Sequence, residues 1–424
     1  MTKQLFTETL KAVPERVKLL VEYQLLTQLN DNYFCNRSRF RRFYYRHCTP
    51  NCRDKAMNNS TKRTATVPLP LLLAAILVSG CTHNSTGPGP LNNTGGMGRI
   101  ACSIVQANGS RSDETIIDST GAVIQDLQTH LAPSLGLGAG MSAGSGRFAW
   151  IAEDSTDPGG LAEVVVSDNN GSINTPIFET HNDTLDFSAI ISADGSTVAF
   201  ATQYGSGPDF MHYGRLTVLA IQASGDSIRV LSQHVITTYL PGNAIPTLSP
   251  DGSQVAFIDT AGVLVAAKTD GSGAAKTVTS VHNIDPFWYL KGWALDWSSQ
   301  NEIAFAGEGI IRVVSADGGN PIVIDSGSNS LKWSPDGGTL AYMSTSGDIV
   351  VTADLGKTKT NLTNDEQGNG APSWSPDGRK LIYTANLGSF FQQPGPPPSV
   401  VAVDLATKAK RLLASNAALG VWLR

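Results

Sequence analysis

The chain has 424 residues, of which only 16% are charged and 42 are glycine, a composition that predicts many turns and few long solvated helices. It therefore favours an all-β fold. The formal net charge is -5, and residues 82–424 hold 18 basic and 31 acidic residues. Such an acidic segment excludes sequence-independent nucleic-acid binding, which needs a basic surface.

Residues 1–56 form a basic segment with 11 Lys and Arg against 5 Asp and Glu. Zinc binding by Cys35, His47, Cys48 and Cys52 is one interpretation, but no paired CxxC spacing is present and adjacent ligands hinder tetrahedral coordination. RNA binding by the mixed Arg, Tyr and Phe residues is another. We favour the interpretation that residues 1–56 are an extension created by a start codon assigned too early, with Met57 as the natural start.

Residues 57–80 have the features of a secretion signal. Lys62 and Arg63 precede an apolar run, 67–78, that is too short to span a bilayer as a helix but fits a signal-peptide core. The run ends in Val-Ser-Gly-Cys, which resembles the bacterial lipoprotein box, and this resemblance implies cleavage before Cys81 and lipidation of that cysteine. Thr82 differs from the Asp that resembles an inner-membrane retention signal, so the outer membrane is the expected location in a cell that has one.

The segment after the signal, 81–98, begins with the lipidation site and is rich in Gly, Pro, Asn and Thr. It contains little to bury, so we predict a flexible tether. Cys102 is the single cysteine beyond it and is expected to be a small buried apolar residue rather than half of a disulfide.

A repeat begins after the tether. Its template is Ser, Pro or Ala, Asp, Gly, two variable residues, and then an apolar residue, Ala and an aromatic residue. Six segments match it to different degrees: SAGSGRFAW (142–150), SADGSTVAF (192–200), SPDGSQVAF (249–257), SSQNEIAF (298–305), SPDGGTLAY (334–342) and SPDGRKLIY (375–383). Internal repeats of this period are typical of propellers and related architectures.

The chemistry of the template predicts a tight turn followed by a half-buried strand. Ser accepts a turn hydrogen bond, Pro presets φ, and Gly occupies the position after the bend. Trp297, Trp333 and Trp374 precede the turn, at the end of an incoming strand. A second β-branched hairpin follows in each repeat, which gives four strands in 40–50 residues, the period of a propeller blade.

The W-S-P-D-G motif before a strand resembles the TolB-like, WD-repeat-like β-propellers of bacterial envelope proteins, over about residues 98 to 424. The resemblance implies a fold and little about function. TolB itself has an extra α/β domain before its propeller, whereas here the tether leads directly into strands, so the role of TolB does not transfer.

The last residues predict how the ring closes. Trp422 occupies the place of Trp374, but no turn or second strand follows it. The segment GRIACSIV resembles the strand after a turn, so we predict that the strand around Val421 and Trp422 pairs with residues 99–128 in one split blade. Residues 99–424 would then form a seven-bladed propeller, with six blades as the alternative.

Candidate catalytic and metal residues are few. The GMSAG sequence satisfies G-x-S-x-G, but a nucleophile elbow needs a strand-to-helix turn, and Ser142 is expected to be the serine of the repeat turn instead. The repeat aspartates Asp194, Asp251, Asp336 and Asp377 are expected to stabilise turns rather than bind calcium. Since the histidines lack metal spacing, we predict no catalytic, metal or cofactor site.

Three aromatic segments interrupt the repeat and are candidates for partner-binding loops. The segments are 204–215, 280–293 and 386–399, and their candidate partner-binding residues are Tyr204, Phe210, Tyr213, Phe287, Trp288, Tyr289, Phe390 and Phe391. Aromatic side chains are common in interface hot spots, although they could equally cover blade ends.

The sequence therefore predicts a lipid-anchored, monomeric propeller of the cell envelope that faces the periplasm and binds other envelope proteins without catalysis. The alternative is an enzyme or carbohydrate-binding propeller with its site at the mouth of the channel. Convergent carboxylates and histidines at that mouth would favour catalysis.

Overall fold

The elements of the chain are nearly all β-strands. The structure is a computed structural model, and it describes residues 98–105, 112–127, 141–153, 161–181, 184–185, 189–206, 212–224, 226–241, 245–280, 294–307, 309–365, 368–387 and 396–424. The predicted signal peptide, Cys81 and the tether that follows it, up to residue 97, lie outside these ranges. Within the described residues no helix has the length and apolar character needed to cross a membrane.

The strands of the first half of the chain are β1 (Ile100–Val105), β2 (Ser112–Ile117), β3 (Val123–Asp126), β4 (Ser142–Gly144), β5 (Arg147–Glu153), β6 (Ala162–Asp168), β7 (Asn174–Thr180), β8 (Thr184–Leu185), β9 (Ile190–Ile191), β10 (Thr197–Ser206), β11 (His212–Ser224), β12 (Ser227–Pro241), β13 (Thr247–Leu248) and β14 (Gln254–Ile258).

The remaining strands are β15 (Val263–Lys268), β16 (Lys276–Ser280), β17 (Ala294–Trp297), β18 (Glu302–Gly307), β19 (Ile310–Ser315), β20 (Ile322–Trp333), β21 (Thr339–Ser344), β22 (Ile349–Ala353), β23 (Thr358–Asn361), β24 (Gly370–Trp374), β25 (Lys380–Ala385), β26 (Ser399–Asp404), β27 (Lys410–Ser415) and β28 (Ala417–Trp422). A 3-10 turn, Asp354–Gly356, lies between β22 and β23.

The strands form antiparallel sheets in which sequence neighbours pair. Four sheets have four strands each, in the orders β28-β1-β2-β3, β4-β5-β6-β7, β13-β14-β15-β16 and β24-β25-β26-β27. A fifth consists of β10, β11 and β12, and the short strands β8 and β9 pair with successive parts of the other edge of β10. This repeated meander is a β-propeller, so the predicted all-β propeller fold is confirmed.

The sixth sheet has seven strands, β17 to β23, because β20 takes part in two meanders. The first half of β20 pairs with β19, and its second half pairs with β21. The register of the pairing with β21 shifts between Gly327 and Leu331. Division of β20 at this shift gives seven groups of strands, which we number 1 to 7 from the sheet that contains β1. The division favours seven blades over six, and the blade count remains a prediction.

Seven apolar clusters lie between neighbouring groups and include the closing pair, groups 7 and 1. In each cluster, the residue at the aromatic position of the repeat strand packs among residues of an adjacent group. These positions are Cys102, Trp150, Phe200, Phe257, Phe305, Tyr342 and Tyr383. Cys102 is fully buried, as predicted, and burial raises the pKa of its thiol to about 12.

The ring closes as the sequence predicts, because the last strand joins the first sheet. Trp422 is the register partner of Ile100, just as Trp374 is the partner of Leu381 and Trp333 the partner of Leu340. The edge of β1 is therefore covered by β28, and the innermost strand of this sheet comes from the other end of the chain.

The Ser-Pro-Asp-Gly turns repeat in atomic detail. In the turn of group 4, Gly252 N donates to Ser249 O over 2.9 Å, Ser249 Oγ donates to Asp251 Oδ1 over 2.7 Å, and Gln254 N donates to Ser249 Oγ over 2.9 Å. The hydrogen bond from serine lowers the pKa of the Asp251 carboxyl, and equivalent serines lower the pKa of Asp336 and Asp377. These aspartates stabilise turns, as expected.

Two glycines in equivalent turns provide a matched test of how the turns contact their neighbours. Gly252 and Gly378 both have a φ of 68°. A Cβ on Gly252 would lie 2.4 Å from Thr197 Oγ1 in the preceding group, whereas a Cβ on Gly378 would meet nothing closer than Pro335 Cδ at 3.9 Å.

We expect Gly378→Ala to lower the free energy of unfolding by about 1–2 kcal/mol, the cost of a left-handed backbone with a Cβ. Gly252→Ala should cost about 1–3 kcal/mol more, because the methyl group collides with Thr197. Urea denaturation of both variants measures the difference. Equal losses would mean that the turn of group 4 does not pack against group 3.

Candidate functional site

The Ser-Pro-Asp-Gly turns and the loops lie at opposite ends of the sheets. The turns follow the inner strands, and contacts between neighbouring turns place them at one end, which we call the turn end. Ser145 N donates to Ala193 O over 2.8 Å, and Ser299 Oγ donates to Pro335 O over 3.2 Å. The opposite end, which we call the loop end, is where the second strand of each meander finishes.

The antiparallel order places at the loop end the described strand ends that flank all three aromatic segments. The segments lie between β10 and β11, between β16 and β17, and between β25 and β26. In an antiparallel meander, the junction of the second and third strands and the entry to the inner strand share one end. The described strand ends that flank the three segments are therefore on the same side of the ring.

The predicted aromatic residues themselves are only partly within the described ranges. Tyr204 and Tyr213 lie in the backbone of β10 and β11, on strands that pair with each other. Phe210, Phe287, Trp288, Tyr289, Phe390 and Phe391 lie outside the described residues. Their role in binding remains a prediction.

The four tryptophans of the repeat frame occupy equivalent sites at the ends of inner strands. Trp297, Trp333, Trp374 and Trp422 are between 1% and 6% exposed and belong to apolar clusters between groups. The Trp374 indole Nε1 donates to Lys332 O of the preceding group over 3.0 Å. These side chains hold neighbouring groups together.

The residue before each of these tryptophans is a feature that sequence reasoning missed. In two groups the side chain before the tryptophan accepts a hydrogen bond from a backbone amide of the next group, and in a third group Ser142, which precedes Ala143 at the equivalent place, does the same. Trp333 N donates to Asp296 Oδ2 over 2.7 Å, Trp422 N donates to Ser373 Oγ over 2.9 Å, and Ile191 N donates to Ser142 Oγ over 3.2 Å.

The position of Ser142 corrects one detail of the repeat. It is not the serine of a turn, because it lies on β4 opposite Ala149 and thus corresponds to Lys332, which lies opposite Ala341. The turn in this group is a two-residue hairpin, Ser145-Gly146, which is shorter than the template and shifts the alignment. Ser142 lies on a strand followed by a hairpin and another strand, not in the strand-to-helix turn that a nucleophile elbow needs.

The inner strands line one central channel of about 330 Å³. Its described lining includes residues from all seven groups, and its charged members are Asp296, Lys332 and Arg424. No histidine belongs to this described lining, and no set of three or more metal-ligating side chains occurs among the described residues. The convergence of carboxylates and histidines that would favour catalysis is not present in this part of the channel.

The two cationic residues of the channel, Lys332 and Arg424, both interact with Asp296. Lys332 Nζ lies 2.5 Å from Asp296 Oδ1, and the Asp296 side chain is only 9% exposed. Burial lowers the pKa of the Arg424 guanidinium, and the negative charge of Asp296 opposes this effect. Asp296 is therefore the electrostatic centre of the channel.

Comparison with known proteins gives structural similarity alone. No family model and no curated protein matches the chain. The crystal structure of TolB from Acinetobacter baumannii is similar, with 13% identity, a TM-score of 0.44 and coverage of 77% of this chain and 67% of that chain. A structure described as TolB from Agrobacterium tumefaciens has 17% identity, a TM-score of 0.41 and coverage of 57% and 83%.

A chain in a structure of the mitotic checkpoint complex has 12% identity, a TM-score of 0.45 and coverage of 66% of this chain and 79% of that chain. At these identities and scores, similarity does not carry a functional argument. The propeller assignment rests on the sheet topology and the strand register.

Proposed function

We propose that this chain is a lipid-anchored β-propeller of the cell envelope that binds other envelope proteins, without catalysis, through its loop end. The observation that carries the proposal is topological. The strand ends that flank the three aromatic segments all lie at the loop end, whereas the turn end consists of short turns bonded to one another. Binding residues of scaffold folds are concentrated on loops at one end of a rigid framework.

Lipidation of Cys81 would place this propeller at a membrane, with the outer membrane facing the periplasm as the favoured location. The support is the order of basic residues, short apolar run, small residues and cysteine in 57–81. We expect Cys81→Ser to move the protein from the membrane fraction to the soluble fraction of lysed cells. An unchanged distribution would contradict the anchor and leave the binding proposal intact.

Crosslinking in intact envelopes, followed by pull-down and mass spectrometry, tests the loop end. Two double variants remove aromatic pairs, Phe287→Ala with Trp288→Ala and Phe390→Ala with Phe391→Ala. Because aromatic residues dominate binding energy at interfaces, we expect each double variant to recover at least about tenfold less of any partner that the parent protein captures.

The matched control replaces an exposed apolar residue away from the loop end. Leu412, on the outer strand β27, is 57% exposed, and Leu412→Ala should recover the same partners as the parent. If both aromatic double variants also capture the same partners in the same amounts, the loop end is not the binding surface.

A further inference from the structure

The outer strand of group 3, β12, carries more exposed large apolar side chains than any other described strand. Val230, Leu231, Val235 and Tyr239 are 39%, 61%, 46% and 63% exposed. They lie within ten residues of one another, and we call residues 230–239 the β12 strip. Single exposed apolar residues are ordinary on protein surfaces, whereas clustered ones mark interaction sites.

The β12 strip also differs from the other outer strands in charge. It contains no Asp, Glu, Lys or Arg, and β12 is the last strand of its sheet in the described part of the chain. Natural proteins protect such outer strands with charged residues. The outer strands of the other groups all carry at least one: Asp126 on β3, Glu179 on β7, Lys276 on β16, Asp325 on the first half of β20, Lys359 on β23, and Lys410 and Arg411 on β27. The exception at β12 indicates a surface that another surface covers.

The two most exposed side chains of the β12 strip lie at irregularities in the pairing with β11. Val230 and Ser232 pair with consecutive residues of β11, so Leu231 is the extra residue of a β-bulge. In a second irregularity, Thr238 and Tyr239 together lie opposite one residue of β11. A bulge re-aims side chains and hinders the addition of a further strand at the edge. Contact with the strip is therefore made by side chains rather than by strand pairing.

The charge of the chain favours a second copy as the surface that covers the strip. Residues 82–424 hold 31 acidic and 18 basic residues, so most other surfaces of a copy carry charge. Burial of a charge against an apolar surface is costly, and the covering surface must therefore be uncharged and apolar as well. A second β12 strip has both properties, and a two-fold axis brings the same patch of two copies together.

We propose that two copies of the chain form a dimer in which their β12 strips pack against each other about a two-fold axis, through Leu231, Val235 and Tyr239. This dimer replaces the monomer expected from the sequence, and it does not depend on binding at the loop end. The strip is shorter than the about 20–30 residues per side of a standard interface, so we expect a Kd in the micromolar range.

Sedimentation velocity of the full chain under reducing conditions tests the dimer, with Cys81→Ser in every sample so that no lipid drives association. At about 100 µM the parent should be mainly dimeric. Leu231→Lys should raise the Kd of the dimer at least about tenfold, because each dimer would then bury two ammonium groups in an apolar contact. Val235→Lys should have an effect in the same direction.

The matched control is Leu412→Lys, which makes the same substitution at a leucine of another outer strand that is 57% exposed. It should leave the Kd of the dimer within about twofold of the parent. The proposal is overturned if the parent stays monomeric at about 100 µM, as it would if a different protein covers the strip. It is also overturned if Leu231→Lys and Val235→Lys associate as tightly as the parent, or if Leu412→Lys weakens the dimer as much as Leu231→Lys does, because added charge alone would then explain the loss.

Discussion

Trp422→Ala is expected to lower the free energy of unfolding by about 3–5 kcal/mol, the usual cost of removing a fully buried large side chain. Trp422 is 1% exposed and packs in the cluster that joins groups 1 and 7, with Ile100 and Ile382 among its members. Its indole Nε1 has no hydrogen-bond partner among the described residues, so the loss arises from packing. Thermal unfolding should show a decrease in Tm on the order of 10 °C.

The consequence of this substitution extends beyond one cavity, because Trp422 belongs to the strand that closes the ring. Deletion of residues 420–424 should be more severe, since it also removes register partners of β1 and exposes the edge of that strand. Leu412→Ala is the control: Leu412 lies on the neighbouring strand β27 but is 57% exposed, and its loss should stay within about 0.5 kcal/mol. If Trp422→Ala and Leu412→Ala are equally stable, the last strand does not hold the ring together.

The features that the sequence predicts correctly are those encoded in local chemistry. Each Ser-Pro-Asp-Gly turn satisfies its hydrogen bonds within six residues, so the turn and the strand after it can be recognised without knowledge of the fold. The place of Trp422 beside Ile100 follows from the same reasoning, because both residues keep their positions in the repeat although about 320 residues separate them.

The features that the sequence does not predict depend on the neighbouring group. Asp296 and Ser373 precede a tryptophan in their own strands, but their role is to accept the amide of the next group. No pattern within a single repeat reveals such a contact, because it arises when two repeats pack side by side. Ser142 was misplaced for a related reason, since the shortened hairpin at 145–146 moves it from the template turn onto a strand.

The grouping of the charged residues in the channel could not be predicted from the sequence for the same reason. Asp296, Lys332 and Arg424 are scattered in sequence and match no motif, and the ring topology alone brings them together. Asp296 and Lys332 occupy equivalent positions of neighbouring inner strands, which explains why a carboxylate and an ammonium meet there. The sequence could have identified this pair only after the repeats were aligned and closed into a ring.

Asp296→Ala is expected to lower the free energy of unfolding by about 2–4 kcal/mol, because it removes a charged acceptor from a buried site. The substitution leaves Trp333 N without its acceptor and Lys332 without its partner. Lys332 is 41% exposed, so water compensates part of its loss. The buried amide of Trp333 has no such compensation and should account for the larger share.

Urea denaturation of three variants separates these contributions. Asp296→Asn keeps an oxygen that can accept from Trp333 N and loses the charge, so it should cost about 1–2 kcal/mol, less than Asp296→Ala. Lys332→Ala should cost at most about 1 kcal/mol, as expected for a half-exposed ion pair. The order of losses is then Asp296→Ala, Asp296→Asn and Lys332→Ala.

A double-mutant cycle of Asp296→Ala and Lys332→Ala completes the test. If the amide contact dominates, the coupling energy between the two side chains stays below about 1 kcal/mol, and the double variant loses little more than Asp296→Ala alone. A Lys332→Ala loss as large as that of Asp296→Ala would instead assign the stabilisation to the ion pair. The contact between groups would then depend on salt concentration, whereas a hydrogen bond to the buried Trp333 amide is only weakly screened.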